Sequence, residues 1–171
     1  ALAGTTLVGQ AIGAGDRDWA RRLGNAVIVV TMSFMGAVGI LLALAVSWVM
    51  PAFVADTDPQ GASVIELGIV LLWVAAGYQL FDGLNLGSGF ALRGAGDVRM
   101  PALIFFALSW GVFVPLAHML TFAPGQGWFD VLPQFGYGAI GGWIALLAYV
   151  VLLGGALYLR WRSGRWREIR L

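Results

Sequence analysis

Asp82 is the residue in this sequence whose chemistry most needs a reason. It lies within "WVAAGYQLFDGLNLGSGFALRG", part of an apolar segment spanning 64–92, with 18 residues of that segment before it and ten after. An ionisable side chain at that depth of a membrane helix costs about 2.5–3.5 kcal/mol on insertion scales, and Asp82 is too far from either end to snorkel out. At the helical period Tyr78, Asp82, Asn85 and Gly89 fall at i, i+4, i+7 and i+11 and share one face. A carboxylate, a phenol and a carboxamide so spaced can turn oxygens toward one small cation such as Na⁺. They can equally exchange a proton, because desolvation disfavours the charged form of a carboxyl group. The structural alternative is a packing network in which Asp82 bonds to a neighbouring helix and Gly89 allows close approach. A neutral Asn would serve that purpose at lower cost.

The elements that position this stripe follow from composition. Of 171 residues, 60% are hydrophobic and the mean hydropathy is +0.84, against about 45–50% apolar residues in soluble domains. Charged and Pro/Gly-rich breaks divide the chain into a partial segment, 1–13, and long segments near 23–50, 64–92, 100–122 and 136–160, followed by a tail, 161–171. Each long segment exceeds the roughly 20 residues a helix needs to cross hydrocarbon, and lipid forces the backbone to satisfy its own hydrogen bonds. The expected fold class is therefore an all-α integral membrane protein, a polytopic helical bundle. The first segment is too short to span, and we expect the N-terminus to fall inside a helix.

The breaks alternate in charge. Arg17, Arg21 and Arg22 follow the first segment, Arg93 and Arg99 follow the third, and five arginines, Arg160 to Arg170, stand at the end of the last segment and in the tail; "PAFVADTDPQGAS" and "FAPGQGWFDVLPQFGYG" contain no basic residue. All ten basic residues are arginine and fall on one side, which the positive-inside rule makes cytoplasmic, together with the C-terminus. Trp48 and Trp128 near the outer ends, and Trp161 and Trp166 at the inner end, are expected as interfacial anchors. The tetrapeptide Gly-Ala-Gly-Asp stands at both early cytoplasmic turns, as Gly13, Gly15 and Asp16 and again as Gly94, Gly96 and Asp97. A phosphate-cradling loop would need a preceding strand and a following Gly-Lys-Ser/Thr, which are missing. The expected role is a turn in which glycine ends one helix and aspartate caps the next.

Other positions speak less specifically. Glu66 opens the third segment 16 residues before Asp82, about 24 Å along a helix, so the two cannot share an ion. His118 is expected to be solvated near the outer interface. Pro115 removes the bond to the Gly111 carbonyl, predicting a kink and a candidate hinge. Gly36, Gly39, Gly136, Gly138, Gly141 and Gly142 read as close helix contacts. With no cysteine and one histidine, disulfides, thiolate nucleophiles and a His-based zinc site are excluded. One deep carboxylate and one peripheral histidine do not make the constellation an integral-membrane enzyme would need.

The strings "TLVGQAIGAGDRDWA" and "YQLFDGLNLGSGFALRGAGDVRMP", an apolar helix with an internal proline, and "GAIGGW" before an arginine-rich end resemble the C-terminal half of a MATE (multidrug and toxic compound extrusion) transporter of the NorM type. The resemblance implies a lobe of a two-lobe, 6+6-helix protein, with this chain running from within helix 8 to the end of helix 12. It implies export of amphipathic organic cations in exchange for H⁺ or Na⁺, without a cofactor beyond that coupling ion. Tyr78 and Asp82 match a tyrosine and aspartate of the tenth helix that contribute to cation binding. Acidic residues of the first and seventh helices would lie outside this sequence. The implied partners are membrane lipid, small organic cations and the missing N-terminal six-helix lobe, not nucleic acid. The implied setting is a monomer, when full length, in a bacterial-type inner membrane. A lipid or polysaccharide flippase of the same broad superfamily is the alternative; the spans are expected to hold no buried Lys or Arg, which favours cationic cargo over anionic lipid-linked substrates.

Overall fold

Two Gly-Ala-Gly-Asp turns, each closing one helix and opening another, set the course of the chain at its arginine-bearing end. The computed structural model describes residues 1–49, 61–128 and 131–169. The acidic break with Asp56 and Asp58, together with Asp130 and Arg170, lies outside the described residues. Helix α1 covers Leu2–Gly13, α2 Arg17–Val49 and α3 Gly61–Gly94. Helix α4, Arg99–Leu108, continues through a π turn, Ser109–Phe113, into α5, Val114–Thr121; α6 covers Gly138–Arg162 and a 3₁₀ turn Arg165–Glu168. Among the described residues the rod Arg99–Thr121, together with Arg17–Ala45, Ala62–Gly94 and Gly138–Arg162, gives four helices long and apolar enough to cross a membrane. The chain is thus an all-α, polytopic helical bundle.

The two turns have the same backbone. Gly15 N–H donates to Ile12 and Asp16 N–H to Ala11; 81 residues later Gly96 N–H donates to Arg93 and Asp97 N–H to Leu92. This is the Schellman arrangement, and it places Gly15 (φ +81) and Gly96 (φ +77) in the left-handed region that glycine adopts without a Cβ clash. The aspartates then diverge. Asp16 accepts the Trp19 N–H at 2.8 Å and caps α2. Asp97 makes no such cap, since α4 starts from Val98 without a side-chain bond. Its carboxylate instead accepts Arg160 Nε at 2.7 Å. The capping expected of Asp97 is therefore corrected: a carboxylate 2% exposed needs a charged partner more than a helix start needs a cap.

Helix α3 lies between α2 and α6. A Cβ on Gly83 would stand 2.8 Å from Met32 Cα, and one on Gly87 2.7 Å from Ile28 Cα, so these glycines permit α2 to approach. From the other side Gly154 of α6 brings its backbone against the Phe81 carbonyl and the Asn85 amide. The buried core, including Val8, Ile28, Leu92, Leu153, Leu157 and Trp161, gathers toward the arginine-bearing end.

Two sequence expectations are corrected and a third takes a specific form. Trp161 and Trp166 are each 2% exposed, stacked with centroids 4.6 Å apart. Gly164 at φ +71 reverses the chain so that Trp166 folds onto Trp161. The Trp161 indole N–H donates to Asn25 Oδ1 and that of Trp166 to the Trp161 carbonyl, making both core residues instead of interfacial anchors. Trp48 and Trp128, by contrast, are exposed. Next, the irregularity expected from Pro115 takes the form of the π turn just before it. The wider turn leaves the proline in the first turn of α5, where its missing N–H forfeits little. Lastly, Gly136 and Gly138, at φ +72 and +57, turn the chain into the start of α6 and are not helix contacts.

Candidate functional site

The polar stripe of α3 is assembled within one helix. Asn85 Nδ2 donates to Asp82 Oδ1 at 3.3 Å, and the Tyr78 phenol, one turn earlier on the same face, interacts with the Asp82 carboxylate. All three residues are partly buried. Among the described residues no hydrogen bond or ion pair ties Asp82 to another helix. This differs from the packing network weighed above, in which the carboxylate would bond across an interface.

Helix geometry explains why Asp82 keeps clear of its neighbours. With about 100° between successive residues, Gly83 and Gly87 lie about 100° and 140° to one side of Asp82, and Phe81 and Leu84 about 100° and 160° to the other. The first pair faces α2 and the second faces α6. The carboxylate therefore points out of the wedge between those helices. Toward the arginine-bearing end the stripe borders a cavity of about 540 Å³ between α3, α4 and α6. Asn85 and Gly89 line it from α3, Pro101 and Phe105 from α4, and Leu157 from α6, with Arg93 at its edge. Asp82, Tyr78 and Asn85 bring a carboxylate, a phenol and a carboxamide onto one face, oxygen groups of the class that hard cations take as ligands. Among the described residues no three His, Cys, Asp or Glu side chains gather as a metal-ligand group.

The remaining candidates do not join this site. Glu66 is exposed at the far end of α3. His118, expected to be solvated, is instead 7% exposed, its ring 5.2 Å from that of Phe122 and covered by Gly127. The loop after α5 turns back to place it there, with Phe135 N–H donating to the Met119 carbonyl and Tyr137 N–H to that of Leu120. Pro115 follows the π turn, which Ser109 holds to α6 through a 3.0 Å hydroxyl contact with Tyr149. Sequence reasoning missed this pair and the Asp97–Arg160 pair, since each joins residues far apart in the chain whose types alone carry no pairing signal.

Comparison with known proteins matches residues 1–119 to the MatE family model. The "Probable multidrug resistance protein NorM" of Brucella suis biovar 1 is 33% identical over 158 residues, covering 92% of this chain and 31% of that protein. The protein of the same description from Pseudomonas aeruginosa is 34% identical over 168 residues, 94% of this chain and 31% of its own length. The "Multidrug resistance protein NorM" of Burkholderia vietnamiensis is 37% identical over 121 residues, 70% of this chain and 26% of its own length. The chain spans about a third of the length of the curated relatives it matches.

Proposed function

The chain belongs to the MatE family, and from that premise we propose that it forms the C-terminal part, from within helix 8 to helix 12, of a two-lobe secondary antiporter. Members of this family are transporters and not enzymes. The proposed cargo is amphipathic organic cations, exported in exchange for H⁺ or Na⁺ through a bacterial inner membrane, with the arginine-bearing end and the C-terminus in the cytoplasm. The transporter acts as a monomer, and its N-terminal six-helix lobe completes the cavity.

One observation carries this reading: a carboxylate within a membrane-length helix whose polar interactions among the described residues are with Tyr78 and Asn85 of its own helix. A carboxylate clamped by a second helix could not change its charge without breaking the bundle. One aimed into the open arc of α3 can. If a proton or Na⁺ at Asp82 favours one arrangement of the lobe and the organic cation favours the other, exchange follows from the difference in affinity between the two states. Tyr78 and Asn85 would orient the carboxylate and contribute oxygens to the ion. The relatives' printed descriptions as multidrug resistance proteins support the cargo class.

The test is Asp82→Asn in the full-length protein, reconstituted at matched density, with efflux of a fluorescent organic cation driven by an imposed H⁺ or Na⁺ gradient. The variant keeps the volume and a hydrogen-bonding group but cannot change charge. Gradient-driven efflux should fall to the rate seen without an imposed gradient, because no charge change at residue 82 remains to link ion and cargo. Efflux equal to that of the parent under both gradients would remove Asp82 from the coupling step.

A further inference from the structure

A second cleft opens at the arginine-bearing end, on the α2 side of α3 and away from the stripe. It has a volume of about 650 Å³, and Arg21 and Asn25 of α2 and Arg162 of α6 stand at its polar end. Val29 and Met32 of α2 and Leu84 of α3 continue it as an apolar trough. We propose that this cleft holds one anionic phospholipid, its phosphate between Arg21 and Arg162 and one acyl chain lying along α2.

The charge balance at this end supports that occupant. The carboxylate of Asp97 is held by Arg160 and that of Asp18 by Arg167, while Asp16 caps α2. Arg21 and Arg162 have no ion-pair partner among the described residues. Arg162 rests over the Tyr158 ring at 5.9 Å, which holds a guanidinium near the cleft while leaving its edge available. Guanidinium groups bind phosphate oxygens in a bidentate fork and are more weakly hydrated than ammonium groups, which suits the headgroup layer.

The dimensions agree as well. Arg21 to Met32 is 11 residues, about 16 Å along a helix, and half of the hydrocarbon core is about 15 Å. The trough therefore reaches one leaflet deep below its arginines. Free phosphate would use the arginines and leave the trough unused. A zwitterionic lipid would fill the trough but bring a cation of its own beside two others.

The test titrates delipidated full-length protein in detergent with phosphatidylglycerol or phosphatidylcholine and counts bound lipid by native mass spectrometry. The parent should prefer phosphatidylglycerol. The double variant Arg21→Gln/Arg162→Gln should lose that preference, with phosphatidylglycerol affinity down about 30-fold, or about 2 kcal/mol for two arginines near an anionic headgroup. Val29→Trp obstructs the trough at an exposed position without touching charge, and should weaken both lipids. Millimolar inorganic phosphate should leave bound phosphatidylglycerol in place. Equal binding of the two lipids by the parent, an unchanged preference in the double variant, undiminished binding by Val29→Trp, or displacement by phosphate would each overturn the proposal.

Discussion

Two arginine–aspartate pairs at the same end of the bundle make a controlled experiment. Arg160 Nε meets Asp97 Oδ2 at 2.7 Å and Arg167 Nη2 meets Asp18 Oδ1 at 2.8 Å, so their contact distances are nearly equal. Burial separates them: the Asp97 and Arg160 side chains are 3% and 15% exposed, those of Asp18 and Arg167 81% and 33%. Removing one member of a buried pair strands the other charge and typically costs about 3–5 kcal/mol. Breaking an exposed pair costs about 0–1 kcal/mol, because water solvates the survivor. Arg160 keeps some solvent access, which places the Asp97→Ala cost near the lower bound, about 3 kcal/mol. Unfolding of the full-length protein in mixed micelles, followed by intrinsic tryptophan fluorescence, should therefore show a large loss for Asp97→Ala and almost none for Asp18→Ala. The double variant Asp97→Leu/Arg160→Met should recover much of the loss, since no charge is then stranded. Equal losses for the two single variants, or no recovery in the double, would refute the claim that burial sets the strength of these pairs.

The same unfolding assay can isolate the conformational cost of a turn. Gly15 has φ +81 and open space for 4 Å around where a Cβ would stand, so Gly15→Ala should cost about 1–2 kcal/mol from backbone strain alone. Gly13 also has open space but lacks a positive φ, and Gly13→Ala at the end of α1 should be neutral or stabilising by up to about 1 kcal/mol; two changes of the same sign and size would contradict the assigned turn. Pro115 stands in the first turn of α5 behind the π turn. If that junction flexes during transport, Pro115→Ala should slow gradient-driven efflux while altering stability by less than about 1 kcal/mol. Parent-like efflux would make the junction static packing.

What could be read from the sequence was whatever depends on period and length. Helical spacing alone placed Tyr78, Asp82 and Asn85 together, and the structure confines their mutual bonds to α3. The long apolar runs likewise correspond to four membrane-length helices among the described residues. What escaped depends on partners distant in sequence. Nothing about Trp161 announces that it will bond to Asn25, 136 residues away, so an inner-end tryptophan looked like an anchor. His118 looked solvated because the returning loop that covers it, with Gly127 against the imidazole, has no periodic signature.

The repeated tetrapeptide shows where local information stops. Both copies specify the same backbone hydrogen bonds, because Gly at the left-handed position and the preceding helix suffice for a Schellman turn. The aspartate that follows is chemically identical in the two copies, yet one caps a helix in solvent and the other is buried against Arg160. The backbone has already satisfied itself in each turn, so the carboxylate is free to take the strongest partner that tertiary packing offers. At the second turn that partner is a guanidinium on α6, and a cap alone would leave a buried anion without a counter-charge. A sequence repeat in a membrane bundle therefore fixes the turn, while the burial of each copy decides what its charged residue does.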